Sequence, residues 1–268
     1  MKKLLLLIPL FLYGLSLQAQ EKLEPNKLFK KCEKSVVSIG VGNAGGYVVI
    51  GSGIYLGNGY LVTNNHIREI LEDNELKSKT IYFVKSGEKW LKLGEPICKI
   101  GGKTGLASFI DLAIYQVEFG LKPIKLSAKS VEKGQRVYTI SSPKGVENVI
   151  TQGLISNITY HPKNDNLPIE YMTDAAYTRG SSGGAVLNEF GELIGIIKSG
   201  DSTIDGARAN LNYFIPVLYL QSMINSSNCN LKSRVISKSM KSKNTTTKKE
   251  IIIEPRGLEP NPGLPAVD

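Results

Sequence analysis

The chain has 268 residues, 41% of them hydrophobic, which suffices for one large all-β domain or two small ones with a buried core. The formal net charge is +9, but residues 1–20 and 229–268 carry most of it, so the remainder is only mildly basic. No dense stripe of Lys and Arg with interleaved aromatic residues is present, which argues against nucleic acid as a partner.

Residues 1–20, MKKLLLLIPLFLYGLSLQAQ, have two lysines, an apolar run and a small, polar end. This order predicts a secretory signal peptide that is cleaved after Ala19 or Gln20. The alternative is a membrane anchor, but the apolar run of about a dozen residues is short of the ~20 that a spanning helix needs. We therefore expect a periplasmic or secreted protein without stable membrane insertion.

The middle of the chain predicts an all-β fold, because short apolar runs alternate with turn residues every 8–12 positions from residue 35 to 226. The Gly- and Pro-containing stretch at 118–128 separates two sets of strands, so we predict two units, 33–120 and 121–226. Gly-containing hairpin turns are predicted at 57–59 and 189–192. Short helices are predicted at 66–74 and after Pro216.

From residue 229 the composition changes to a basic stretch followed by one rich in Pro and Gly, which predicts a disordered tail over 229–268. The three cysteines, Cys32, Cys98 and Cys229, are an odd number, so they cannot all pair within the chain. One disulfide can form, and the sequence leaves its members open.

The residue inventory excludes several kinds of chemistry. The chain contains two histidines, His66 and His161, and its cysteines are scattered, so a zinc site with several His or Cys ligands is excluded. No glycine-rich loop has phosphate-binding spacing, and we expect no cofactor. Nucleophilic catalysis by Ser or Cys remains.

A serine hydroxyl needs a base within hydrogen-bond reach, and the base needs an orienting acceptor. His66 ends the strand-like GYLVTNNHI, and Asp111 opens the apolar DLAIYQV. The cluster RGSSGG at 179–184 offers two adjacent serines. Each feature alone has an ordinary structural explanation, whereas His161 lies in a polar stretch before a proline and is interpreted as a surface residue.

Four stretches together resemble the trypsin-like serine proteases, in particular the HtrA-type branch: GSGIYLGNGYLVTNNHI, DLAIYQV, GQRVYTISSPKGVENVITQGLIS and TDAAYTRGSSGGAVLNEFGELIGI. The resemblance covers about residues 35–220 in the family order His, Asp, Ser. It implies two antiparallel six-stranded β-barrels with the catalytic site between them, followed here by a short C-terminal helix. It also implies an endopeptidase that acts on proteins or peptides.

Position by position, the family's catalytic base matches His66, its orienting acid Asp111 and its nucleophile Ser182. The backbone N–H groups of Gly180 and Ser182 would form the oxyanion hole. Ser181 replaces the Asn or Asp that usually precedes the nucleophile.

The resemblance also implies a primary substrate pocket with Ala176 at its bottom and walls from Lys198, Ser199, Gly200 and the strand at 210–214. Without a carboxylate at its bottom, this pocket favours small or medium aliphatic residues before the scissile bond. Arg179 enters where the family has proline; it either steers the substrate or lies in solvent. Only about 40 residues follow the second barrel, so no PDZ domain is expected there, and homo-oligomerisation stays open.

Two other functions are compatible with the sequence. The fold can serve as a binding or scaffold protein with weak or no activity. The basic tail can act in surface adhesion, with the folded part as its carrier.

Overall fold

The computed structural model describes residues 21–43, 46–68, 81–102, 109–201, 211–226, 229 and 231. The predicted signal peptide and residues 232–268 of the predicted tail lie outside these ranges, as do residues 69–74 of the first predicted helix. None of the described helices is both apolar enough and long enough to cross a membrane.

The first set of strands forms one antiparallel sheet of seven strands in the order β5-β4-β1-β2-β3-β7-β6. Its members are β1 (Val36–Asn43), β2 (Gly46–Gly57), β3 (Tyr60–Thr63), β4 (Ile81–Ser86), β5 (Lys89–Lys92), β6 (Cys98–Ile100) and β7 (Leu112–Gln116). The short strand β6 was not predicted, because it has only three residues, all half-buried or exposed, which is too short for an apolar pattern to indicate a strand. It pairs with β7, with Cys98 opposite Ile114.

The second set forms a closed six-stranded barrel in the order β10-β13-β12-β11-β8-β9, as predicted. Its members are β8 (Arg136–Ser141), β9 (Val149–His161), β10 (Asn164–Thr173), β11 (Ala185–Leu187), β12 (Leu193–Asp201) and β13 (Leu211–Pro216). Among the described residues the first set has seven strands instead of the six expected, and no pairing between β5 and β6 closes its sheet into a barrel. The all-β architecture of two packed units is confirmed.

The predicted hairpin turns are confirmed by left-handed backbone at their glycines. In the turn between β2 and β3, φ is +97° at Gly57, +53° at Asn58 and +79° at Gly59. In the turn between β11 and β12, φ is +69° at Gly191. Glycine adopts these angles without the steric penalty that a Cβ brings.

Two of the described helices flank the sheets. The predicted C-terminal helix is α2 (Val217–Asn225), which follows Pro216 directly. The sequence did not predict α1 (Pro25–Cys32), an amphipathic segment with Leu28 and Cys32 buried. It leads into the first sheet and lies against the β11–β12 turn, where the Lys31 ammonium donates to the Phe190 carbonyl at 2.7 Å.

One hydrophobic core joins the two units. Its fully buried members come from the first sheet, the second barrel and both helices, and include Leu28, Ile54, Val62, Leu112, Ile140, Leu187, Ile196, Ile215 and Leu220. A smaller cluster fills the inside of each unit. This shared core fixes β2, β3 and β7 of the first sheet against the barrel strands that carry the RGSSGG turn.

The disulfide joins Cys98 of β6 to Cys229, with 5.3 Å between their Cα atoms, and Cys32 is a buried free thiol. Burial raises the pKa of the Cys32 thiol, and the nearby Lys31 and Lys122 oppose this shift. Leu231 is also buried, and its carbonyl accepts a hydrogen bond from the Tyr60 hydroxyl at 3.3 Å. The start of the segment predicted as a tail is therefore packed, at least at Cys229 and Leu231, because the disulfide and this hydrogen bond hold it on the first sheet.

Candidate active site

His66 and Asp111 are in direct contact although 45 residues separate them. His66 follows the end of β3 and begins a helical turn, and Asp111 immediately precedes β7, which pairs with β3. One Asp111 carboxylate oxygen contacts Nδ1 of the imidazole, and the other accepts the backbone N–H of His66 at 2.9 Å. The side chain of Asp111 is 14% exposed and that of His66 is 37% exposed. The carboxylate therefore orients the imidazole from the protein interior, and the other side of the ring is open to solvent.

Asn64 is a residue of this site that the sequence reasoning missed. It is fully buried, and its side-chain amide donates to the carbonyl of Asp111 at 2.9 Å. The contact fixes the backbone of Asp111 relative to the end of β3. The sequence feature that could have indicated this residue is the polar pair Asn64 and Asn65 directly after β3. This strand is wholly buried in the structure.

The two serines of RGSSGG occupy different environments. Ser181 is fully buried, and its Oγ accepts the backbone N–H of Thr178 at 3.2 Å, so its hydroxyl belongs to the turn itself. Ser182 is half-buried, and its hydroxyl donates to the carbonyl of Lys198 at 3.1 Å. In the described part of the chain, the Ser182 hydroxyl proton is thus directed to Lys198 and not to His66.

Strand β2 holds this turn against the first sheet through Ser52. The N–H of Ser52 donates to the carbonyl of Ser182 at 2.7 Å, and its hydroxyl donates to the carbonyl of Gly180 at 2.8 Å. A Cβ on Gly183 would lie 2.2 Å from the Thr63 hydroxyl, three residues before His66. The turn and the end of β3 are therefore in van der Waals contact, which requires glycine at position 183.

The peptide planes of the turn have defined directions. The Arg179 carbonyl accepts the Lys144 N–H at 2.9 Å, and the Ser181 carbonyl accepts the Gly184 N–H at 2.9 Å. Because C=O and N–H point in opposite directions in a trans peptide, the N–H groups of Gly180 and Ser182 point away from these bonds. Neither N–H donates a backbone hydrogen bond within the described ranges.

The predicted pocket residues lie on three neighbouring segments. Ala176 is exposed, and its carbonyl accepts the Thr151 hydroxyl at 2.8 Å. Lys198, Ser199 and Gly200 belong to β12, which pairs with β13. The Lys198 ammonium lies 3.1 Å from a carboxylate oxygen of Glu170 and 5.3 Å from the centre of the Phe109 ring.

Tyr177 is a second residue that the sequence reasoning did not assign to the site. Its hydroxyl donates to the carbonyl of Tyr213 at 2.6 Å, so the phenol reaches from the segment at Ala176 to β13. Tyr213 lies opposite Ser199 in the sheet. Burial, with further contributions from Glu170 and Tyr213, raises the pKa of Tyr177 well above its ordinary value, so the phenol is neutral.

Of the remaining candidates, His161 lies apart from this cluster, whereas Arg179 belongs to the turn that carries Ser182. His161 ends β9, and its Nδ1 accepts the N–H of Lys163 at 3.1 Å in the β9–β10 turn, consistent with a structural role. Arg179 has an exposed side chain beside the turn. No three His, Cys, Asp or Glu side chains of the described ranges are grouped closely enough to hold a metal ion.

The chain is similar to known proteins over this region. The model of the trypsin-like peptidase domain family matches residues 51–196, which include His66, Asp111 and Ser182. The periplasmic serine endoprotease DegP of Escherichia coli (strain K12) is 31% identical over 185 residues, which cover 65% of this chain and 36% of that protein. A probable periplasmic serine endoprotease, DegP-like, of Buchnera aphidicola is 31% identical over 179 residues, covering 65% and 35%.

The fold is also that of a solved HtrA-type protease, AlgW with a decapeptide, at a TM-score of 0.59, with 80% of this chain and 68% of that chain covered and 19% sequence identity. The chain spans about a third of the length of its curated relatives DegP and DegP-like. The resemblance seen in the sequence is confirmed over more than half of the chain. The chain therefore belongs to the trypsin-like peptidase domain family, and its DegP relatives make it similar to the HtrA-type branch.

Proposed function

We propose that the protein is an exported serine endopeptidase in which Ser182 is the nucleophile, His66 the general base and Asp111 the residue that orients the base. The observation that carries this proposal is the double contact of Asp111 with the imidazole and with the backbone N–H of His66. An acceptor on Nδ1 leaves the lone pair of the neutral ring on Nε2, which is the atom that takes the serine proton.

The different environments of the two serines support Ser182 as the nucleophile. The Ser181 oxygen is used inside the turn, whereas the Ser182 hydroxyl is half-buried and held by a single carbonyl. Rotation about one side-chain bond releases it from Lys198, and such rotations take picoseconds to nanoseconds. The resting orientation therefore does not limit the reaction.

In the proposed reaction, Oγ of Ser182 attacks the scissile carbonyl carbon as its proton passes to Nε2 of His66. The carbonyl electron pair moves to oxygen, and the N–H groups of Gly180 and Ser182 donate to this oxyanion. When the intermediate collapses, the C–N bond breaks, and His66 returns the proton to the leaving amine. Water then hydrolyses the acyl-enzyme by the same steps, with His66 again as base.

We propose cleavage after small or medium aliphatic residues, with the small ones preferred. Tyr177 reaches across the space between Ala176 and β13, which shortens any pocket between these segments. Lys198, the one cation of the proposed pocket walls, is paired with Glu170, so it offers no free charge to an acidic substrate side chain. One methylene changes discrimination by only about 1–3 kcal/mol, so the preference is graded.

Export is supported by three independent features: the signal-like residues 1–20, the Cys98–Cys229 disulfide and similarity to periplasmic proteases. Disulfides persist in oxidising compartments such as the periplasm. Proteins or peptides are the proposed substrates.

A peptide-library cleavage profile tests the proposed function. The purified protein is incubated with a mixture of unmodified peptides, and the new termini are identified by mass spectrometry. We expect cuts after Ala, Val and other aliphatic residues of similar size, and none with Ser182→Ala. A folded wild-type protein that cuts no peptide would instead favour a binding or scaffold protein.

A further inference from the structure

The loop between β8 and β9 has an unusual backbone. In the segment 143–148, φ is +49° at Lys144, +81° at Gly145 and +56° at Asn148. Left-handed backbone is uncommon outside glycine, and such residues persist only where surrounding contacts hold them. The contacts that hold this loop in its conformation therefore indicate its structural role.

One contact of the loop reaches the turn that carries Ser182. The N–H of Lys144 donates to the carbonyl of Arg179 at 2.9 Å and so sets the direction of the 179–180 peptide plane. A glycine at position 180 can turn its N–H either way at little cost. A Cβ at this position would lie 2.7 Å from the Ser142 carbonyl, so the close approach of the loop requires glycine.

A second contact anchors the loop to the first sheet through Glu147. One carboxylate oxygen pairs with the ammonium of Lys85, and the other accepts the N–H of Gly87 at 3.0 Å. Lys85 belongs to β4, and Gly87 lies in the turn between β4 and β5. The side chains of Lys85 and Glu147 are 22% and 21% exposed, so the pair is partly shielded from water.

We propose that Glu147 is a positioning residue for the oxyanion hole. By tying the loop to the β4–β5 hairpin, it keeps the Lys144 N–H on the Arg179 carbonyl, and the Gly180 N–H then points toward the substrate. Without this anchor the left-handed residues relax, and the 179–180 peptide becomes free to turn. The inference rests on the proposed function, because it assigns the Gly180 N–H to the oxyanion.

The test compares Glu147→Ala and Glu147→Gln with Glu189→Ala. Glu189 is a matched control, since its side chain is also 21% exposed and pairs with a lysine, Lys22, but on the β11–β12 turn. Three quantities are measured: kcat and KM on one peptide substrate, the hydrogen-exchange rate of the Lys144 N–H, and the melting temperature.

For Glu147→Ala we expect kcat to fall at least about tenfold, toward the ~10²-fold typical of a lost oxyanion donor, with KM nearly unchanged. Exchange of the Lys144 N–H should be faster at a temperature where the variant is fully folded. Glu147→Gln keeps one acceptor and should lose less, and Glu189→Ala should match the wild type.

The inference is overturned if Glu147→Ala matches Glu189→Ala in kcat, or if the Lys144 N–H exchanges as in the wild type. If the wild type itself cleaves no peptide, the proposed function fails. The exchange rate then still decides whether Glu147 holds the loop.

Discussion

Asp111 binds His66 at two points, the imidazole Nδ1 and the backbone N–H, so one carboxylate fixes both the ring and the chain that carries it. Asn64 in turn holds the carbonyl of Asp111 at 2.9 Å. The relative position of the two residues is thus set by β3 and β7, two paired strands of the first sheet. Because the strands set this position, the effect of an Asp111 substitution on activity can be measured separately from its effect on folding.

Asp111→Asn should lower kcat by about 10⁴-fold, because an amide in place of the carboxylate favours the wrong imidazole tautomer. The variant keeps the size of the side chain, so the melting temperature should change little. Steady-state kinetics on a peptide substrate measure the effect, with the exposed Asp165→Asn as control. A loss below about tenfold would remove Asp111 from the mechanism.

Tyr177→Val should broaden the cleavage profile toward larger residues such as Leu and Phe, because it removes the phenol that reaches β13. Tyr177→Phe keeps the ring, loses the hydrogen bond to the Tyr213 carbonyl, and should retain the wild-type preference. The ratio of kcat/KM for substrates with Leu and Ala before the scissile bond measures the change. An equal ratio in all three proteins would show that Tyr177 does not limit the pocket.

Reduction of the Cys98–Cys229 disulfide should lower the free energy of unfolding by about 2–5 kcal/mol, because the bond closes a long loop in the unfolded chain. The separation is 131 residues. Thermal unfolding of wild type and Cys229→Ser measures the loss. Truncation after Leu231 retains the disulfide and should leave the melting temperature nearly unchanged. A thiol titration of the unreduced, unfolded protein that finds three thiols instead of one would contradict the pairing.

Stability should decline above about pH 10. Burial, helped by Tyr160 and Tyr219, raises the pKa of Tyr171 to about 12. The unfolded chain releases this proton near pH 10 and the folded chain near pH 12, so the contribution is complete below pH 10 and lost between these values. Urea unfolding at pH 8 to 11 should show a smaller alkaline loss for Tyr171→Phe. Identical slopes for both proteins would contradict this cause.

Much of the fold could be predicted from local patterns. Short apolar runs between turn residues predicted β2, β3 and β7 as strands. The closed barrel was implied by the resemblance to the protease family. The apolar pattern did not predict β6 or α1, because contacts with residues that are distant in the sequence hold these two elements in place. Cys98 is held by its bond to Cys229, and Lys31 by the Phe190 carbonyl.

The sequence made His66, Asp111 and Ser182 candidates for a different reason. Their types, their order and the motifs around them match those of the protease family. Contacts that depend on three-dimensional proximity could not be read in this way. The hydrogen bonds from Asn64 to Asp111 and from Lys144 to Arg179 join residues from separate loops, and the Glu147–Lys85 ion pair links the two units.

Labelling with a fluorophosphonate probe tests the central claim most directly, because the probe reacts with a serine that a neighbouring base activates and an oxyanion hole assists. We predict that the wild-type protein and Ser181→Ala are labelled, and that Ser182→Ala and His66→Ala are not, with all four folded by circular dichroism. Ser181→Ala removes the acceptor for the Thr178 N–H, so its labelling should be slower but should not disappear. Labelling of Ser182→Ala at the wild-type rate would contradict the assignment of the nucleophile.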